Sequence, residues 1–170
     1  AVLETGIYCA QFVQWVFGGR APDTVAGVAY EAHAPRGRDM HVGALLRFKT
    51  ADGGSGVGTF ECSLRHPSPR DAVVCGTRGV IRVEYPFWCP TAFTVQTMSG
   101  PGSQQFGAIK RREFALPNIT PSVPFNFING AGFAYEAEEA NRCVRAGLLE
   151  TPRFSSKECL SVMRIISDIK

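Results

Sequence analysis

The sequence predicts an α+β domain: a helix, then seven strands in one large, mostly antiparallel open sheet, then two helices, with the helices on one face of the sheet. Three observations carry this reading. Apolar residues recur at helical spacing only near the two ends of the chain. The stretch between them breaks into short β-favouring runs. Those runs are joined by tight, glycine-bearing turns, which suit antiparallel neighbours. With 170 residues, 45% hydrophobic and 19% charged, the chain has the size and composition of a soluble globular domain, and residues 1–170 are read as a single one.

Each element follows from its own residues. From Gly6 to Phe17, the side chains of Ile7, Ala10, Val13, Trp15, Val16 and Phe17 suit a mostly buried helix, and Gly18-Gly19 offers a left-handed stop. Strands are expected over 24–32, 41–49, 56–64, 72–75, 80–85, 93–98 and 109–116. Asp52-Gly53-Gly54 closes a hairpin and Thr77-Arg78-Gly79 makes a second reversal. A proline-bearing link, Thr120 to Pro124, leads to a helix from Phe133 to Ala146, stopped by Gly147. Ser155-x-x-Glu158 is a capping box for the last helix, whose apolar stripe is Cys159, Val162, Met163, Ile166 and Ile169. Apolar side chains occur on both alternating sets of the strands, with Val42, Ala44 and Leu46 set against Leu45 and Phe48. The uncovered sheet face is therefore expected to be an oligomer contact.

Composition excludes several classes. The net charge is +3 and the basic residues are scattered apart from Lys110-Arg111-Arg112, so nucleic-acid binding has no electrostatic footprint. No apolar run reaches the roughly 18 residues of a membrane span, the longest candidate being interrupted at Gly18-Gly19-Arg20. The six cysteines form no C-x-x-C pair and read as free thiols of a reducing compartment, which places the protein inside the cell, in the cytoplasm or an organelle. Ala1-Val2-Leu3 lacks the charged region of a signal peptide. No metal is expected, because neither the cysteines nor His33, His41 and His66 have ligand spacing. The glycine-rich stretch Gly53 to Gly58 lies between strands and opens no helix, so it is a hairpin and not a phosphate cradle.

Chemistry is left to polar and aromatic groups at element ends. Glu4 precedes Tyr8 by one helical turn and shares its face, so the carboxylate is placed to accept a hydrogen bond from the phenol or from a substrate hydroxyl. Phe87-Trp88-Cys89-Pro90 follows a strand, and Phe125-Asn126-Phe127-Ile128-Asn129-Gly130-Ala131-Gly132 precedes a helix. Aromatic loops of this density suit the wall of a small apolar pocket.

These same segments carry a resemblance. Leu3-Glu4-x-Gly6-Ile7-Tyr8-Cys9-x-Gln11-Phe12, Gly76-Thr77-Arg78-Gly79, Trp88-Cys89-Pro90-Thr91, Asn126-Phe127-x-Asn129-Gly130-Ala131-Gly132-x-x-Tyr135-Glu136-Ala137 and Leu148-x-Glu150-x-Pro152 resemble the dihydrodiol dehydrogenase branch of the Gfo/Idh/MocA oxidoreductases. The resemblance implies a C-terminal domain whose open sheet forms a homodimer contact. It also implies an N-terminal Rossmann domain, absent from this chain, that binds NADP or NAD. Tyr8 would be the catalytic acid/base, with a lysine of the other domain lowering its pKa, and Glu4 would stand beside it where the family has aspartate. Trp88 and Phe127 would line the site of a cyclic diol or aldose, and Ile128 replaces a polar residue of the family pattern. On this resemblance the chain is the substrate-side and dimerisation half of an NAD(P)-dependent dehydrogenase. The alternative is a catalytically inactive, dehydrogenase-derived subunit of a larger assembly, acting through its sheet.

Overall fold

The computed structural model describes residues 1–31, 38–103 and 105–169. The chain divides into two compact units, one formed by Ala1–Ser68 with Glu150–Lys170 and the other by Pro69–Leu149.

The first unit begins with a wide π turn, Val2–Gly6, that runs into α1, Ile7–Val16. The strands β1 (Thr24–Glu31), β2 (Asp39–Lys49) and β3 (Ser55–Ser63) follow as an antiparallel sheet in the order β1-β2-β3, and α3 (Ser156–Ile169) closes the unit. The 24–32 strand is met through Glu31; Ala32, like His33, lies outside the described residues. Gly54 N–H donates to the Asp52 carboxylate at 3.2 Å, and Thr50 N–H donates to the Gly54 carbonyl at 3.0 Å, which fixes the β2–β3 turn as expected.

One face of this sheet is the core. Val42, Ala44, Leu46 and Phe48 of β2 are buried against Ala10 and Val13 of α1 and Val162, Ile165, Ile166 and Ile169 of α3. Strand periodicity puts Phe48 with Val42 and not with Leu45, so the open face retains Leu45, Val28 and Val57 as its exposed aliphatics. The last helix also turns differently from the expected stripe, since Ile165 is buried while Cys159 and Met163 are exposed. Its capping box forms as predicted: Ser155 N–H and Oγ–H both reach Glu158 Oε2 at 2.8 Å, and Glu158 N–H returns to Ser155 Oγ at 3.3 Å.

Small residues on β3 let α1 lie directly on the sheet. A Cβ at Gly58 would come within 2.2 Å of Val13 Cγ1, too close to exist, so the strand has no side chain where the helix crosses it. Phe17, at the end of α1, stacks on Phe48 with ring centroids 4.2 Å apart and planes at 10°. Buried Gln14 donates to the Gly19 carbonyl at 3.1 Å and to the Glu158 carbonyl at 3.3 Å, tying the end of α1 to the start of α3. Trp15, expected on the buried side, is 68% exposed because the inward face is already filled by Ala10, Val13 and Gln14.

The second unit contains β4 (Ala72–Gly76), β5 (Gly79–Val83), β6 (Ala92–Thr97) and β7 (Lys110–Glu113), an antiparallel sheet in that order, and α2 (Phe133–Arg145) entered through a 3-10 turn at Gly130–Gly132. The antiparallel α+β expectation is met, and the strands pair as groups of three and four instead of one run of seven. The break falls where Pro67 and Pro69 have no N–H for a ladder. Strand β7 is shorter than the expected 109–116: Phe114 N–H still reaches the Thr91 carbonyl at 2.9 Å, but Pro90 lies beyond and the pairing stops. Arg111 of β7 makes a two-pronged pair with Glu84, at 2.7 and 2.8 Å, and this guanidinium holds the Glu84 carboxyl below its usual range.

Phe48→Ala should lower the unfolding free energy by about 3–5 kcal/mol, because it leaves a cavity under the Phe17 ring. Urea denaturation followed by circular dichroism measures it, and a loss below about 1 kcal/mol would remove Phe48 from the core.

Candidate functional site

Glu4 and Tyr8 belong to the first unit, and the wide turn that precedes α1 positions them. The Ala1 carbonyl accepts N–H groups from Glu4, Thr5 and Gly6 at 3.2, 2.8 and 3.2 Å; the last is the i→i+5 bond of a π turn, a feature often found at functional sites. Gly6 is required where it stands, since a Cβ there would meet Cys62 Sγ of β3 at 2.9 Å and Val2 Cγ2 at 3.1 Å. With Gly6 pressed on the sheet, the opposite side of the helix looks outward. Tyr8 is 53% exposed, and Glu4 and Trp15 are exposed with it along the same outward stripe. Neither the Glu4 carboxylate nor the Tyr8 hydroxyl has a hydrogen-bond partner among the described residues, so both polar ends are available to a ligand. Tyr8 is not among the residues of the core cluster.

Directly after Tyr8 the chain turns inward. The Cys9 thiol is pushed up to about 12 by burial, with the neighbouring Cys62 adding to the effect, and burial raises the Cys62 thiol as well. These thiols are packing groups and not nucleophiles.

Trp88 and Phe127 belong to the second unit, on two loops that are pinned together. Asn129 Nδ2 donates to the Cys89 carbonyl at 2.8 Å, and Cys89 Sγ–H lies 3.6 Å from the Asn129 carbonyl. Asn129 takes the left-handed conformation at φ 57°, which asparagine tolerates better than most residues. A Cβ at Gly132 would meet Cys89 Sγ at 2.2 Å. Tyr135 Oη–H donates to the Ala115 carbonyl at 3.3 Å. Much of the Asn126 to Ala137 segment thus builds the loops. Trp88 packs edge-on to Tyr85 and Phe87, with centroids 6.2 and 5.5 Å away, yet stays 42% exposed; Phe127 is 70% exposed. Both aromatics are available at the surface, and no ring contact joins them to each other among the described residues. A groove along α2, lined by residues such as Ala137, Asn141 and Arg145, includes none of the four candidates.

One constellation escaped the sequence reading. His41 and His66, judged unrelated by spacing, come together with Glu61: the histidine rings meet edge to face at 4.8 Å, and His41 Nε2 lies 3.0 Å from Glu61 Oε1. The signal was available in the hairpin register. Counting back from the turn at Asp52 sets His41 opposite Ser63, with Glu61 two residues earlier on the same face.

Residues 1–82 match the model of the GFO/IDH/MocA C-terminal domain. The full chain is 31% identical to the trans-1,2-dihydrobenzene-1,2-diol dehydrogenase of Sus scrofa and covers 45% of it, so it spans about half the length of the curated relatives it matches. Among solved structures, 99% of the chain superposes on 48% of an oxidoreductase from Sinorhizobium meliloti with a TM-score of 0.74 at 18% identity. It also superposes on 46% of KijD10, a 3-ketoreductase from Actinomadura kijaniata in complex with TDP-benzene and NADP, with a TM-score of 0.61 at 18% identity.

Burial pushes the Cys9 thiol up to about 12, so its reactive thiolate is scarce beside that of an exposed cysteine. N-ethylmaleimide at pH 8 should therefore label exposed Cys75 and Cys159 first and leave Cys9 unmodified until the protein unfolds, as read by peptide mass spectrometry. Early labelling of Cys9 would contradict its burial.

Proposed function

We propose that this chain, whose residues 1–82 match the GFO/IDH/MocA C-terminal domain, is the substrate-side and dimer-forming part of an NADP- or NAD-dependent dehydrogenase acting on a cyclic diol or aldose. Tyr8 is the proton-transfer residue. As the carbinol C–H bond gives up its hydride, the Tyr8 phenolate takes the hydroxyl proton and the carbon becomes a carbonyl; in reduction the phenol returns the proton. Bound nicotinamide supplies the hydride acceptor and is held by a nucleotide-binding domain outside this chain. Glu4, one turn before Tyr8 on the outward stripe, orients the substrate hydroxyl or the phenol. Its extra methylene relative to aspartate displaces the carboxylate by about one bond length, enough to affect a placed hydrogen bond. Trp88 and Phe127 offer flat apolar walls suited to a ring.

The observation that carries this reading is the exposure of Tyr8. The tyrosine stands on a helix whose inner face is fixed to the core, and it points outward beside a carboxylate and the exposed indole of Trp15. A second protein surface over that stripe would exclude water from the phenol, and a cation carried on that surface would favour its phenolate form. Six free cysteines agree with a reducing, intracellular setting. The open face of β1-β2-β3, with Val28 at 79%, Val57 at 58% and Leu45 at 42% exposure, is the homodimer contact.

Two measurements test the proposal in the full-length protein. Tyr8→Phe should reduce turnover by about 10²–10⁴-fold with an unchanged circular dichroism spectrum, whereas Glu4→Asp should maintain or raise the rate. Activity of Tyr8→Phe at the level of the unmodified protein would dismiss Tyr8 as the proton carrier. Replacing Val28 and Val57 together by aspartate should convert the dimer to a monomer in sedimentation velocity, and a dimer that survives this change would place the contact elsewhere.

A further inference from the structure

We propose that His41, Glu61 and His66 form a binding site for a divalent cation of the zinc class at one end of the three-stranded sheet. The ligand atoms of these three side chains all lie within 4.8 Å of one another. They are brought together by three separate pieces of local structure. His41, near the start of β2, and Glu61, near the end of β3, project from the same open face because β2 and β3 pair His41 with Ser63 and Gly43 with Glu61. Ser63 then folds the chain back: its Oγ accepts the N–H groups of Arg65 at 3.1 Å and His66 at 3.3 Å, and this turn carries the His66 ring to the edge of His41.

One of the spacings already suits a metal. Zinc takes nitrogen and oxygen ligands at about 2.0–2.2 Å, so two donors at bond angles of about 90–109° stand about 2.9–3.4 Å apart. His41 Nε2 and Glu61 Oε1 are 3.0 Å apart, and a cation shared between them needs no change in that spacing. His66, whose ligand atom lies within 4.8 Å of the other two, completes the set by a small approach of its turn. Its Nδ1 lies 3.3 Å from the Pro67 carbonyl, so an Nδ1–H donated there leaves the Nε2 lone pair free, the arrangement that orients metal-binding histidines elsewhere. The guanidinium of adjacent Arg65 is drawn over the Tyr30 ring, 5.1 Å from its centroid.

Two imidazoles and one carboxylate favour zinc and its first-row neighbours over calcium or magnesium, which take oxygen ligands. All three side chains reach solvent in the single chain, where water fills the remaining coordination positions. The bound cation would clamp β2, β3 and the turn after β3 to one another.

Zinc titration of the intact, metal-stripped protein by calorimetry tests this. One zinc ion per chain is expected, with His66→Ala and Glu61→Gln each weakening binding by more than about tenfold and the His41→Ala, His66→Ala double variant abolishing it. Proton NMR should show the imidazole resonances of His41 and His66 shifting together over the first equivalent. Glu61→Gln keeps the size and shape of its side chain, and circular dichroism checks the fold of every variant. Zinc uptake that is equal in the unmodified protein and the double variant would overturn the proposal. So would a His66 resonance that stays still while His41 moves, because that is the behaviour of a plain His41–Glu61 ion pair with a bystander ring.

Discussion

The contact on which the first unit depends is the direct seating of α1 on β3. Helix and strand meet where the strand has Gly56 and Gly58 and the helix entry has Gly6, and a methyl group at any of the three would collide with Phe17, Val13 or Cys62 respectively. This close approach does more than fill the core. It fixes the helix about its own axis, because Ala10, Val13 and Gln14 must face inward together, and Tyr8 and Trp15 are then turned outward. The position of the candidate phenol is thus a consequence of glycines on a different element. Side-chain polarity alone would have pointed the other way, since an aromatic row on a helix usually marks its buried face.

That inversion explains what could be read in the sequence. The elements were legible: the boundaries of β2, β3, α2 and α3 follow from alternation, turn glycines and the Ser155–Glu158 box, all of which act within a few residues. Helix rotation was not, as Trp15 and Ile165 demonstrate, because it depends on which partner surface has room, and that is a property of distant chain segments. Tyr8 and Glu4 could be paired from i and i+4 spacing, while their exposure could not. His41 and His66 are the opposite case. Their proximity is encoded in the β2–β3 register and in the turn made by Ser63, and it becomes visible once residues are counted outward from the hairpin.

The segments that carry the family resemblance divide by physical role. Gly6, Asn129, Gly130 and Gly132 hold close contacts or an unusual backbone conformation: Gly130 faces Phe125 at 2.7 Å from where a Cβ would be, and Asn129 is left-handed. Tyr135 ties α2 to the carbonyl of Ala115. These residues serve the fold of this chain whether or not it is active. Trp88 packs on Tyr85 and Phe87 and is only partly exposed, whereas Tyr8, Glu4 and Phe127 do no comparable structural work, as their exposed side chains have little to support. The same is true of the replacements: Glu4 and Ile128 stand at exposed positions, where folding places no demand on the choice.

A separation of this kind sharpens the argument about chemistry. A large apolar side chain left in water gains nothing for the folded state, and burying a residue the size of Trp15 stabilises by about 1.5–3 kcal/mol. The first unit forgoes that at Trp15 and Tyr8, and the second forgoes it at Phe127, Phe133 and Val144, all more than half exposed. Scattered singly, such residues would be unremarked. On α1 they are not scattered, since Tyr8 and Trp15 share one outward stripe with a carboxylate. The tyrosine on that stripe becomes a useful base only when a covering surface brings a cation close enough to favour the phenolate, because removing water alone favours the neutral phenol. The aromatic stripe supplies the apolar contact that would hold such a surface, so the groups that cost the isolated unit stability are the ones that would make its tyrosine reactive.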